Sequence, residues 1–277
     1  MVKKIIFWTL SVVITLSTIA YQRITGPTYP KRFKVLIDNV EYKYALPRSQ
    51  NGFTDCEVKI NLADPLITGK VIYKRYKTSD PWDTLSFNRE AENLIAWLPK
   101  QQAAGKLEYK VELYRNGQLI ENQEKETVVI RYTGSVPTFI LLPHILLIFA
   151  AMLLSTLTAF YAIGNIPSYK FYVGLTLLMF ILGGMIMGPI MQKFAFGEYW
   201  TGFPFGKDLT DNKALIGTIA WIITWIGNRK KERKYLVIIT AIIMVAIYAI
   251  PHSARGSELD YNSGTIKTGM IYFTSIF

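Results

Sequence analysis

HILLIFAAMLLSTLTAFYAI, residues 144–163, runs for twenty residues without a charged side chain. As a helix rising about 1.5 Å per residue it spans about 30 Å, the thickness of a bilayer's hydrocarbon core. The chain around it has 277 residues, 51% of them hydrophobic, and a mean hydropathy of +0.22. That is too apolar for an ordinary soluble protein of this size. The apolar residues are also unevenly placed. They collect in IIFWTLSVVITLSTIA (5–20) and in blocks at 144–163, 172–191, 214–227 and 235–250, leaving a mixed, charged stretch between the first and second blocks.

Five blocks predict five membrane spans. Lys3, Lys4, Lys170 and the knot NRKKERK (228–234) then fall on one side, which the positive-inside rule makes cytoplasmic. The N-terminus is expected inside and the C-terminus outside, in a bacterial-type inner membrane. The first block reads either as an uncleaved anchor or as a signal-like segment, because Thr18-Ile19-Ala20 is a poor small-residue cleavage site. The organisation expected is an N-terminal anchor (1–20), a periplasmic domain (21–136) and a four-helix membrane domain (137–277). The last has an outer-face loop (193–213) and an outer tail (251–277). Blocks 214–227 and 235–250 are short for a span, so residues 208–213 and 251–255 are expected to be drawn toward the membrane.

The charged stretch alternates. CEVKINL (56–62) and LEYKVELY (107–114) place apolar residues at every second position, and Asn116-Gly117 is a preferred pair for a tight hairpin turn. FKVLI (33–37), GKVIYKRY (69–76), NLIAWL (93–98) and ETVVIRY (126–132) are further expected strands. About seven strands in this length predict a two-sheet β-sandwich. The run from Trp97 through Asn116-Gly117 to Arg131 resembles fibronectin type III and immunoglobulin-like domains, over about two-fifths of the chain. The resemblance implies an interaction module or spacer. With Cys56 as the one cysteine, the immunoglobulin disulfide cannot form; period two places Cys56 on the buried face of its strand.

The net charge of +11 does not mark a nucleic-acid binder. Residues 21–136 hold 18 Lys and Arg against 14 Asp and Glu, well mixed, and no basic-aromatic surface pattern appears. Catalytic signatures such as G-x-S-x-G, H-E-x-x-H or a phosphate-loop lysine are lacking, so the sequence leans away from an enzyme without settling the matter. His144 follows Pro143 and His252 follows Pro251, both expected near the outer interface. Met187 and Met191 stand one helical turn apart nearby, with Glu198 beyond them. Imidazole and thioether suit copper, imidazole and carboxylate suit zinc, and paired histidines suit haem. Packing filler is the plainer account of the methionines. Gly184 and Gly188 form a small-residue pair for close helix contact, and Pro189 is expected to bend or end its helix.

FGEYWTGFPFGKDLTDNK (196–213) joins two apolar blocks. Tyr199, Trp200, Phe203 and Phe205 read as an interfacial belt, or as a lid hinged by glycines. Asp208, Asp211, Asn212 and Lys213 are expected to meet Arg255 and Glu258 of the tail in an outer polar cluster. The pairings suggested are Asp208 or Asp211 with Arg255 and Lys213 with Glu258, with Thr210 or Asp211 capping the next helix. Two functions follow. One is a non-enzymatic scaffold or accessory subunit of an envelope complex, its partners being the lipid bilayer and proteins met through the β-domain and the Gly184/Gly188 helix. The other is a membrane-embedded metal, haem or ligand-handling protein with its site at the outer interface.

Overall fold

A computed structural model describes residues 1–120, 126–251 and 256–267. The chain mixes helices with several β-sheets and divides into two compact units. Met1–Pro27 and Val136–Ser257 make a helical unit; Thr28–Ser135 and Glu258–Lys267 make a β unit.

The helical unit begins with α1 (Val2–Thr25), which stops ahead of Gly26-Pro27. Then come α2 (Thr138–Ile163) and α3 (Tyr169–Phe180). α3 continues through a π-helical segment (Ile181–Met187) into α4 (Gly188–Phe196) as one rod. α5 (Leu209–Lys230) and α6 (Lys234–Ala249) complete it. Val2–Thr25, Thr138–Ile163 and Tyr169–Phe196 are each long and apolar enough to cross a membrane; Lys234–Ala249 is apolar but shorter.

Two expectations change here. Pro189 does not end the helix, since the rod runs on to Phe196. A proline ring clashes with the carbonyl four residues back in a regular α-helix. At Pro189 that residue is Met185, inside the π-helical segment, where the backbone is wound more widely. And α5 is not a fourteen-residue helix: its polar start and basic end are helical too, giving 22 residues, about 33 Å.

Trp221, Tyr169, Phe180, Leu157 and Val237 form the centre of this unit. α1 joins it through Phe7, whose ring stacks on Phe160 at 5.6 Å. Gly164 is needed there, because a Cβ on it would lie 2.5 Å from the Phe7 ring. Hydroxyls tie the helices across their seams: Thr224 to Thr240 at 2.6 Å and Tyr169 to Asn228 at 3.2 Å. Close approach of the π-helical segment to α2 rests on Gly183, where a Cβ would come within 2.9 Å of Leu147 Cβ and 3.1 Å of the Ile148 nitrogen. Gly184 and Gly188 have only ordinary spacing, 3.6 Å to the nearest atom. The small-residue contact within the chain is therefore one position from the expected pair.

In the β unit, β1 (Lys31–Ile37) and β2 (Val40–Leu46) form a hairpin. Its turn residues Asp38 and Asn39 both take positive φ, 49° and 63°. β3 (Ser49–Asn51), β4 (Cys56–Asn61), β5 (Ile67–Arg75), β6 (Asp83–Ser86) and β7 (Asn88–Glu90) follow. Then come β8 (Asn93–Leu98), β9 (Lys106–Arg115), β10 (Gln118–Leu119) and β11 (Val128–Thr133). The larger sheet has the order β3-β11-β9-β5-β6, with β10 on β9; a smaller one has the order β4-β8-β7. β3 pairs with β11 in parallel, and the other pairs are antiparallel. Alternation turns Cys56, Val58 and Ile60 inward, and likewise Leu107, Tyr109, Val111 and Leu113, into one core shared by both sheets and the hairpin. Burial raises the Cys56 thiol to about 11, so it is a packed side chain and not a poised nucleophile.

A last hairpin, β12 (Glu258–Asp260) with β13 (Thr265–Lys267), belongs to this β unit. The Leu259 nitrogen donates to Ala104 O at 3.0 Å. Tyr261 Oη accepts from the Lys106 nitrogen at 2.9 Å. Glu258 forms ion pairs with Lys106 at 2.6 Å and Lys77 at 3.1 Å. Tail residues expected to serve the helical domain alone thus also complete the β unit.

Candidate functional site

The outer polar cluster is assembled where the α3–α4 rod ends. Gly197 stops the rod in a left-handed conformation, φ 86°, its nitrogen donating to Lys193 O. The loop that follows folds back so that Thr201 becomes a hub. Thr201 Oγ1 accepts from Gln192 Nε2 at 2.6 Å and lies 3.1 Å from Asp211 Oδ2, which also accepts from the Thr201 nitrogen at 2.6 Å. Ser257 Oγ is 3.3 Å away. Gln192, Thr201, Asp211 and Ser257 are all buried.

Asp208 binds the same knot from the other side. Its Oδ1 accepts from the Thr210 nitrogen at 2.8 Å and its Oδ2 from the Ser257 nitrogen at 3.1 Å. The N-cap of α5 is therefore Asp208 and not Thr210 or Asp211, since a cap stands just before the helix and its side-chain oxygen accepts from an amide two or three residues on, here that of Thr210. The carboxylate also meets the positive end of the helix. Asn212 Oδ1 accepts from the Phe203 nitrogen at 2.7 Å. Gly202 admits this closure, because a Cβ on it would lie 2.6 Å from Asp211 Cβ.

Lys213 completes the site differently from expectation. It is buried, and its Nζ donates to the carbonyl oxygens of Ile250 and Pro251 at 2.5 and 3.2 Å. These carbonyls lie at the C-terminal end of α6, where a cation is favoured. Gln22 of α1 donates to Tyr248 O at 3.0 Å beside it. Glu258, suggested as the partner of Lys213, is engaged by Lys77 and Lys106 within its own β unit. Arg255 lies outside the described residues, and so does His252.

The structure thus brings Asp208, Asp211, Asn212 and Lys213 to one place and adds Gln192, Thr201 and Ser257, which the sequence reading missed. Gln192 carried a signal, as an amide that with Lys193 interrupts a largely apolar helical run. Thr201 and Ser257 carried none. Chemically the arrangement is a clasp: carboxylates and hydroxyls are spent on backbone amides and on each other, tying the rod, the loop, α5 and Ser257 together.

The metal candidates among the described residues lie apart from this clasp's hydrogen bonds. His144 Nδ1 lies 2.9 Å from Gly183 O, in the π-helical segment. Met187 and Met191 are half-buried and Glu198 is exposed. Among the described residues no three His, Cys, Asp or Glu side chains come together to hold a metal ion. Phe203 and Phe205 are 68% and 81% exposed, Tyr199 is exposed, and half-buried Trp200 donates to Phe203 O at 3.0 Å.

No protein-family model matches the chain, and comparison with curated proteins finds no match.

Proposed function

We propose that the chain is a multi-pass integral protein of a bacterial-type inner membrane and serves as a non-enzymatic scaffold or accessory subunit of an envelope complex. Five helical segments cross the bilayer: α1, α2, the α3–α4 rod, α5 and α6. The turns at 164–168 and 231–233 face the cytoplasm, and residues 28–135 are periplasmic. The β unit acts as an immunoglobulin- or fibronectin III-like sandwich that meets a protein partner. One observation carries this reading: a β unit with its own apolar core is joined to long helices that keep large apolar side chains exposed, Phe139, Phe171 and Ile242 among them. Water does not tolerate so broad an apolar surface on a monomer, and lipid does.

α1 supports retention of the first span. Its contacts through Phe7 and Gln22 to the rest of the bundle are specific, which a removed leader would not need. The exposed rings of Phe203 and Phe205 suit an interfacial belt. On the β unit, Phe53 and Trp97 are large exposed aromatics, the residue types that anchor interfaces.

The test is gentle detergent extraction of the tagged full chain, followed by sizing and mass spectrometry. A stoichiometric second protein is expected, released by Trp97→Glu or Phe53→Glu in a chain whose β unit remains folded. A strictly monomeric chain under every mild extraction contradicts the proposal.

A further inference from the structure

One end of the helical unit collects cations that no carboxylate answers. The turn from α5 to α6 carries Arg229, Lys230, Lys231 and Arg233, all exposed. Among the described residues none of the four has a carboxylate partner, and the turn's one acid, Glu232, is engaged by Lys170 at 3.3 Å and Lys234 at 3.5 Å. Unpaired cations on a mobile loop would mean little, but this turn is held. Asn228 is buried; its Oδ1 accepts from the Arg233 nitrogen at 2.9 Å and from Tyr169 Oη at 3.2 Å, while its Nδ2 donates to Thr224 O at 2.9 Å. Lys234 Nζ donates to Asn165 Oδ1 at 2.8 Å, linking the neighbouring turn from α2 to α3.

What borders the cations names their ligand. The Arg229 guanidinium lies 4.9 Å from the Trp225 ring centre, and Trp225 is itself exposed. Exposed Ile226 of α5 and exposed Tyr235 and Ile239 of α6 continue the surface as an apolar face. Charge gives way to aromatic and then to aliphatic surface within about two helical turns, the order of chemistry met at a phospholipid's phosphate, glycerol region and acyl chains. Guanidinium groups pair phosphate oxygens in a planar fork.

We infer that this turn is a binding site for the headgroups of anionic phospholipids, with Arg229, Lys230, Lys231 and Arg233 supplying the charge and the α5–α6 face receiving the chains. The inference rests on the membrane reading above. It adds a lipid preference that spanning by itself does not require.

The experiment places the full chain in phosphatidylcholine vesicles doped with equal fractions of brominated phosphatidylglycerol or brominated phosphatidylcholine and reads tryptophan quenching. The anionic quencher is expected to act as though enriched about fivefold, the factor expected from one basic side chain at a bilayer surface. Joint replacement Arg229→Gln, Lys230→Gln, Lys231→Gln and Arg233→Gln is expected to remove the preference. A charge-matched variant of exposed β-unit residues, Arg32→Gln, Lys43→Gln, Lys59→Gln and Lys100→Gln, is expected to keep it. Inorganic phosphate at matched ionic strength is expected not to displace the lipid. Equal quenching by both lipids, survival of the preference in the first variant, its loss in the second, or displacement by phosphate each overturns the site. Resistance to alkaline carbonate extraction is scored on the same vesicles. A retained chain without lipid preference defeats the lipid site alone, and a chain stripped from the bilayer defeats the membrane reading with it.

Discussion

Thr201 and Gly202 carry more of the clasp than the charged residues that first drew notice. Replacing Thr201 with valine keeps the shape but leaves Gln192 Nε2 and one contact of Asp211 unanswered in a buried place. An unsatisfied buried polar group costs about 1–3 kcal/mol, so Thr201→Val is expected to lower the thermal midpoint in detergent, while Thr201→Ser restores most of it. Gly202→Ala is expected to destabilise by a similar amount, about 1–3 kcal/mol from overpacking, because its Cβ would meet Asp211 Cβ at 2.6 Å and Asn212 Oδ1 at 2.9 Å. At this scale the sequence was half legible. Asp208, Asp211 and Lys213 announced themselves as charges flanking an apolar helix. Their partners did not, because a carboxylate bound to backbone amides and a lysine bound to helix-end carbonyls need no complementary charge in the sequence. Expecting charge to meet charge sent Lys213 to Glu258, which instead lies with Lys77 and Lys106.

Among the elements, the π-helical segment and the terminal hairpin each give a contrast that can be measured. Gly183→Ala presses a methyl group on Leu147 and on the backbone of α2, whereas Gly184→Ala meets nothing nearer than 3.6 Å. The first is expected to lose about 1–3 kcal/mol and the second to stay within about 0.5 kcal/mol, both read from unfolding in the same detergent. The β12–β13 hairpin should respond to acid. Asp260 is held down to about 2 by hydrogen bonds from Lys267 and the Asn262 nitrogen. Burial alone would raise Glu258, but its bonds and charges from Lys106 and Lys77 outweigh that and lower it. A carboxylate with a depressed folded value stabilises above its unfolded value and loses that contribution as pH falls through the folded one. Protection of the Leu259 amide against hydrogen exchange is therefore expected to fall between about pH 4 and pH 2, and loss of that dependence in Glu258→Gln with Asp260→Asn checks it. Strands with clean alternation, β4 and β9 above all, were readable from periodicity. β2 was not, because its turn uses Asp38-Asn39 in place of a glycine pair. The extent of α5 was hidden because its first turn is polar, and polar residues in a helix's first turn look like loop until the cap is known.

For the whole molecule, composition alone showed that helices and β-structure share the chain, since apolar runs and alternating runs occupy separate stretches. The grouping of residues 258–267 with the β unit was hidden, because it depends on pairing across more than 150 residues of chain, as Lys106 with Glu258 shows. Crossing number and sidedness make up the central claim, and cysteine labelling tests them most directly. The natural Cys56 is 2% exposed with its thiol raised to about 11, so it provides a quiet background. Single cysteines are placed at exposed Lys59 of β4 and exposed Lys231 of the α5–α6 turn, and intact cells are treated with a membrane-impermeant maleimide. The account predicts that Lys59→Cys is labelled in sealed cells once the outer barrier is opened, and that Lys231→Cys is labelled only after the inner membrane is breached. Labelling of Lys231→Cys in cells with a sealed inner membrane, or protection of Lys59→Cys there, would contradict it.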